Sequence, residues 1–138
     1  EAGCCDPTAA PAAAPAPVSV GGGGAGAAVR EAYAQLGKPY VWGAEGPATF
    51  DCSGLTQWVW GKAGVALSHY TGSQWGEGRR VSRAALVPGD LVFFHPDLDH
   101  VGIYVGNGKM IHAPRTGEVV RVENIWWSSF EGGIRPGA

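Results

Sequence analysis

Apolar positions along this 138-residue chain change their spacing part-way through. Between Ala25 and Leu36, Val29, Ala32, Tyr33 and Leu36 fall at i, i+3, i+4 and i+7, the stripe of a helix with one buried face. Gly37 and Pro39 supply the stop. Tyr40-Val41-Trp42 reads as a short extended piece, and residues 43–50 as a Gly/Pro-containing loop. Asp51 then suits an N-cap, with Cys52 the first residue of a second helix. On that helix Leu55, Trp58, Val59 and Lys62 share a face, and Gly61 and Gly64 are expected to close it. Residues 66–80 carry no regular pattern and are expected to be irregular.

Further on the spacing becomes that of strands. Val87-Pro88-Gly89-Asp90 is a turn signal, and Leu91-Val92-Phe93-Phe94 is a continuous apolar run that fits a buried strand. Strands are expected at 100–105 and 109–113, then at 119–122 and near 132–135. Helices first and an antiparallel sheet after them make an α+β domain. The hairpin register follows from the apolar set. With a two-residue loop, Asn107-Gly108, Ile111 would point away from Val101, Ile103 and Val105. With three residues, Gly106-Asn107-Gly108, and Gly108 left-handed, Val101, Ile103, Val105, Ile111 and Ala113 share one face. His100, Gly102, Tyr104, Met110 and His112 then share the other, which brings the two imidazoles within reach.

Composition narrows the function. Residues 1–24 are mostly Ala, Pro and Gly, with Val18 and Val20 their only larger apolar residues, so they read as a linker or tail. Residues 25–138 form the domain. The net charge of −2 and the lack of a basic stripe exclude electrostatic nucleic-acid binding. No apolar run reaches the ~20 residues of a membrane span. Glu1 opens the chain without the features of a signal peptide, which is expected to have been removed or to lie outside this sequence. Cys4 and Cys5 lie in the tail and Cys52 alone in the domain, which is no disulfide framework. No zinc spacing occurs, so neither metal nor cofactor is expected, and the domain is expected to be monomeric.

A cysteine at a helix mouth, followed by two histidines on one hairpin, is the equipment of thiolate catalysis. The helix dipole and open N–H groups at the first turn favour the thiolate. We assign Cys52 as nucleophile, His100 as base and acid, and His112 as the group that orients His100. The Cys52 backbone N–H and the Tyr40 hydroxyl are the candidate donors to an oxyanion. Asp99 competes with His112 as orienter by adjacency, although it should face the other side of its strand. Each residue also has a plainer reading: Cys52 and Tyr40 as core, Asp51 as a helix cap, and the tryptophans as core and groove wall. His69 and His95 are placed outside the chemistry, with His69 and Tyr70 lining the substrate groove.

Six blocks in order then give the chain a family likeness. They are Gly37-Lys38-Pro39-Tyr40-Val41-Trp42-Gly43, Phe50-Asp51-Cys52-Ser53-Gly54-Leu55 and His69-Tyr70-Thr71-Gly72-Ser73-Gln74. Pro88-Gly89-Asp90-Leu91-Val92-Phe93-Phe94, His100-Val101-Gly102-Ile103-Tyr104-Val105-Gly106-Asn107-Gly108 and Met110-Ile111-His112-Ala113-Pro114 follow. Residues 25–135 resemble the NlpC/p-sixty peptidoglycan peptidases, a papain-like fold cut down to its catalytic core. The resemblance implies a Cys–His–polar triad at Cys52, His100 and His112, with Tyr40 behind the nucleophile. It implies cleavage of stem peptides in bacterial walls between D-Glu and the diamino acid, in a secreted or envelope protein. In relatives that bind a free N-terminal L-Ala, the matching positions are Asp51 and Ser53. Two rival readings are an amidase or acyltransferase on the same Cys–His framework and a non-catalytic wall-binding module. A further expectation is that residues 1–24 lie across the groove as an inhibitory segment.

Overall fold

The computed structural model describes residues 24–137. The expectations for residues 1–23, including Cys4, Cys5 and the inhibitory segment, lie outside the described residues.

Helix α1 (Ala25–Ala34) buries Ala28, Val29 and Ala32, while Tyr33 and Leu36 pack against the same core from its edge. Gly37 ends it with φ +90, and its N–H donates to the Val120 carbonyl at 2.9 Å. Helix α2 (Cys52–Lys62) starts where the sequence placed it, with the Asp51 carboxylate accepting from the Gly54 N–H at 2.7 Å. Its buried face differs from the expected one. Trp60 is buried and its indole N–H donates to the Gly89 carbonyl at 3.0 Å, whereas Lys62 is exposed, its ammonium over the Trp58 ring. Gly61 lies inside the helix and does not end it. At Gly54 any Cβ would stand 2.0 Å from the Ala44 carbonyl oxygen, so glycine is required for loop 43–50 to close over the helix mouth.

Residues 66–80 are more ordered than their composition suggests. They hold a short helix α3 (Thr71–Gln74) and strand β1 (Gly78–Val81). Four residues on one helical turn and four on an edge strand are too few to display a period. Strands β2 (Leu91–Phe94), β3 (His100–Gly106), β4 (Lys109–His112), β5 (Arg121–Asn124) and β6 (Phe130–Pro136) complete an antiparallel sheet in the order β1-β6-β2-β3-β4-β5. β5 begins two residues later than expected, and β6 is longer. The architecture is α+β, as the order of elements implied.

The β3–β4 register is the one that keeps the apolar set together: Ile103 faces Ile111 and Tyr104 faces Met110. The tip is tighter than a plain three-residue loop. Gly106 pairs with Lys109 across an irregularity after Tyr104, and Gly106, Asn107 and Gly108 all take positive φ. The sheet therefore has two faces. Leu91, Phe93, Val101, Ile103, Val105, Ile111 and Ala113 pack with α1 and α2 in one core. Val92, Phe94 and Met110 form a second cluster with Ile125.

Candidate active site

Cys52 is the first residue of α2 and wholly buried, in the same cluster as Tyr40, Val101 and Ile103. Its helix packs on β3, the strand that His100 opens. In this structure Cys52 is disulfide-bonded, a form in which the sulfur neither titrates nor attacks. Thiolate chemistry belongs to the reduced chain.

Around the helix mouth Asp51 does several jobs. One carboxylate oxygen accepts from the Gly54 N–H and meets His69 Nε2 at 2.8 Å; the other accepts from the Gly43 N–H at 2.9 Å. His69 Nδ1 in turn lies 3.0 Å from Glu45 Oε2. Asp51 is thus both cap and tie between loop 43–50 and α2. His69 is a partner of that tie, and Tyr70 beside it is exposed, as is Trp42 on the facing loop. Ser53 is buried, with its carbonyl accepting from Thr56 Oγ1 and Gln74 Nε2.

The two hairpin histidines meet on the sheet face turned away from α1. His100 Nε2 lies 2.7 Å from His112 Nδ1, and neither side chain is exposed to solvent. The series continues: His112 Nε2 lies 2.7 Å from Glu123 Oε1 on β5. Arg121, two residues earlier, places Nε 3.5 Å from the same oxygen and ion-pairs with Glu118 through Nη1. The Trp127 ring stacks on His100 at 5.9 Å between centroids and 15° between planes, and meets His112 edge-on. Burial pushes the His100 imidazole well below its ordinary value, helped by His112 and His95. Burial, then the Arg121 charge, brings His112 down to about 3. With the sulfur of Cys52 tied up, both rings are neutral at pH 7. Burial also raises the Glu123 carboxyl, against the pull of Arg121.

Asp99 makes a short contact with His95 Nδ1, while His112 meets His100 Nε2. His95, Asp97 and Asp99 bring three potential metal-ligand atoms within 4.8 Å of one another in the loop between β2 and β3. From the sequence, Glu123 and Arg121 have no part in the site, and Trp127 counts, with the other tryptophans, as core and groove wall. The expected strand 119–122 stopped short of Glu123. Extending it by two residues puts Glu123 beside Arg121 on the face of His112.

A helix-mouth cysteine, packed through its helix onto an antiparallel sheet that carries an imidazole relay, defines the class of papain-like thiol peptidase domains. The model of the NlpC/P60 family matches residues 37–131, and the chain belongs to that family. It is 48% identical over 104 residues to the probable endopeptidase p60 of Listeria monocytogenes, which covers 74% of this chain and 21% of that protein. The chain thus spans about a fifth of the length of such curated relatives. Among solved structures it resembles the NlpC/p60 domain of the peptidoglycan hydrolase SagA (TM-score 0.74, 38% identity, 80% of this chain and 97% of that one). It also resembles the peptidoglycan hydrolase RipB of Mycobacterium tuberculosis (TM-score 0.75, 31% identity, 81% and 64%).

Proposed function

We propose that this domain is a cysteine endopeptidase of bacterial cell walls that cleaves peptidoglycan stem peptides at the γ-D-glutamyl–diamino acid bond. The observation that carries the proposal is the buried His100–His112 hydrogen bond on β3 and β4, the strands beside the helix that begins with Cys52. In the reduced enzyme, His100 takes the thiol proton and the Cys52 thiolate attacks the γ-carbonyl carbon. A C–S bond forms and the charge moves to the carbonyl oxygen, where the Cys52 N–H and the Tyr40 hydroxyl donate to it. Collapse breaks the C–N bond, and the imidazolium of His100 delivers its proton to the leaving amine. His100 then draws a proton from water, which attacks the thioester carbon. The C–S bond breaks and the thiol returns.

Relatives named as endopeptidases and peptidoglycan hydrolases support the substrate class. Asp51 and Ser53 flank Cys52 in the chain, His69 bonds to Asp51 and Tyr70 follows it; the four would line the stem-peptide subsite, in a secreted or envelope location. The test is a digest of purified sacculi under reducing conditions, with fragments weighed by mass spectrometry. The expected products carry a new diamino-acid N-terminus, and Cys52→Ala releases none. Full release by Cys52→Ala, or products cut at a sugar–lactyl amide, would overturn the proposal.

A further inference from the structure

The hydrogen-bond series through the two histidines ends on a carboxylate, and a carboxylate has consequences for every proton along it. Glu123 is 10% exposed, and Arg121, itself 2% exposed, lies beside the oxygen that meets His112, favouring the ionised form. An ionised carboxylate only accepts hydrogen bonds. His112 Nε2 must then carry the proton and Nδ1 the lone pair. At 2.7 Å from His100 Nε2, that lone pair accepts. His100 Nε2 is therefore protonated, which leaves Nδ1 as its basic nitrogen.

We propose that Glu123 is a positioning residue for the peptidase reaction: by accepting from His112 it fixes the tautomer of both rings and keeps His100 Nδ1 as the nitrogen that serves Cys52. The role of Nδ1 rests on the reading of Cys52 and His100 given above; the tautomers do not. Without the carboxylate the series can reverse. His112 Nδ1–H would donate to His100 Nε2, and His100 would carry its proton on Nδ1, where it cannot accept one from the thiol. The charge matters as well. Burial disfavours the imidazolium that the reaction must form; a carboxylate 2.7 Å from His112 Nε2 opposes that penalty when it is ionised. Other charged or titratable groups that act on the pair are His95 from the β2–β3 loop and Arg121 on β5, and Glu118 acts on Arg121 and Glu123 behind them.

The test combines 15N NMR of the histidine rings in the whole chain with pH profiles of stem-peptide cleavage by the reduced enzyme. In the unsubstituted protein, His112 is expected to show a protonated Nε2 and a bare Nδ1. Glu123→Gln keeps an acceptor but removes the charge. It should hold KM within about twofold, lower kcat about tenfold and move the alkaline limb to lower pH, because the imidazolium is lost sooner. Glu123→Ala should lose roughly a hundredfold in kcat and the single tautomer, while Glu123→Asp recovers part of both. Thermal melts identify any variant that fails to fold, and the NMR of the unsubstituted chain stands independently of them. A bare Nε2 on His112, unchanged pH limbs in Glu123→Gln, or an equal loss at every pH with unaltered tautomers would overturn the assignment. The expected tautomers without any stem-peptide cleavage would overturn the functional reading instead.

Discussion

The domain holds two imidazole–carboxylate arrangements, and they differ mainly in how much water reaches them. His112 bridges His100 and Glu123 with no solvent exposure, whereas His69 bridges Asp51 and Glu45 at 20% side-chain exposure, with Glu45 at 56%. The distances are alike, from 2.7 to 3.0 Å. In the buried arrangement the low dielectric strengthens each hydrogen bond and makes the wrong protonation state costly. There the geometry controls which nitrogen bears a proton. In the exposed one, water screens the charges and the same contacts act as a fastening of loop 43–50 to α2. One cluster is suited to chemistry and the other to holding the chemistry in place.

Removing the imidazoles of the buried arrangement should have the largest effect. His100→Ala is expected to lower kcat by about 10³, the span of a lost general acid and base. His112→Ala should cost roughly ten- to a hundredfold, since it acts through His100. Rates on soluble stem peptides measure both, and equal or reversed losses would mean that the roles are exchanged.

Acid should separate the two arrangements next. His112 falls from 6.5 to about 3 on folding, so below pH 6.5 the unfolded chain binds a proton that the folded chain refuses. A group depressed in this way stabilises the neutral-pH fold and loses that contribution as pH drops through 6.5 toward 3. The slope is about 1.4 kcal/mol per pH unit for one ring. His100, also lowered, works in the same direction, while the raised Glu123 carboxyl opposes both as acid is added. Melting temperature should therefore hold above pH 7 and fall steadily below 6.5. His112→Gln should flatten the acid side, and an unchanged slope would mean that the ring is already hydrated and free to titrate.

The contrast also explains what was legible in the sequence. The register of β3 on β4 could be derived because a one-residue slip would have turned Ile111 out of the core, a penalty visible in the letters alone. Asp51 as N-cap and Cys52 at the first helical position were legible for a similar reason, since capping is local chemistry. Glu123 was not, because its role depends on β5 lying beside β4, a pairing across a loop whose strand has only four residues. Trp127 stacks on His100 from a segment with no strand pattern at all. The tie of His69 to Asp51 was hidden likewise: the sequence separation is 18 residues, and the residues around His69 looked irregular. Trp60 was legible as core, but its place on the buried face of α2 was not, because that depends on reaching the Gly89 carbonyl in a distant turn.

The smallest effects belong to the exposed fastening, and they grade along it. Asp51→Ala removes the cap of α2 together with the acceptors of Gly43 and His69, so urea unfolding of the reduced chain should show a loss of about 1–2 kcal/mol with an unchanged slope. Asn at that position keeps the cap and should recover most of it. Glu45→Gln, at the outer end, should cost no more than about 0.5 kcal/mol, and 1 M salt should erase the difference by screening the Glu45–His69 pair. The same salt should leave the loss from Asp51→Ala largely intact, because a backbone N–H bonded to a carboxylate within a closed helix mouth is shielded from mobile ions. Were Glu45→Gln to cost as much as Asp51→Ala, or salt to shrink both equally, the outer imidazole would belong with the buried relay, and water access would not be what divides the two.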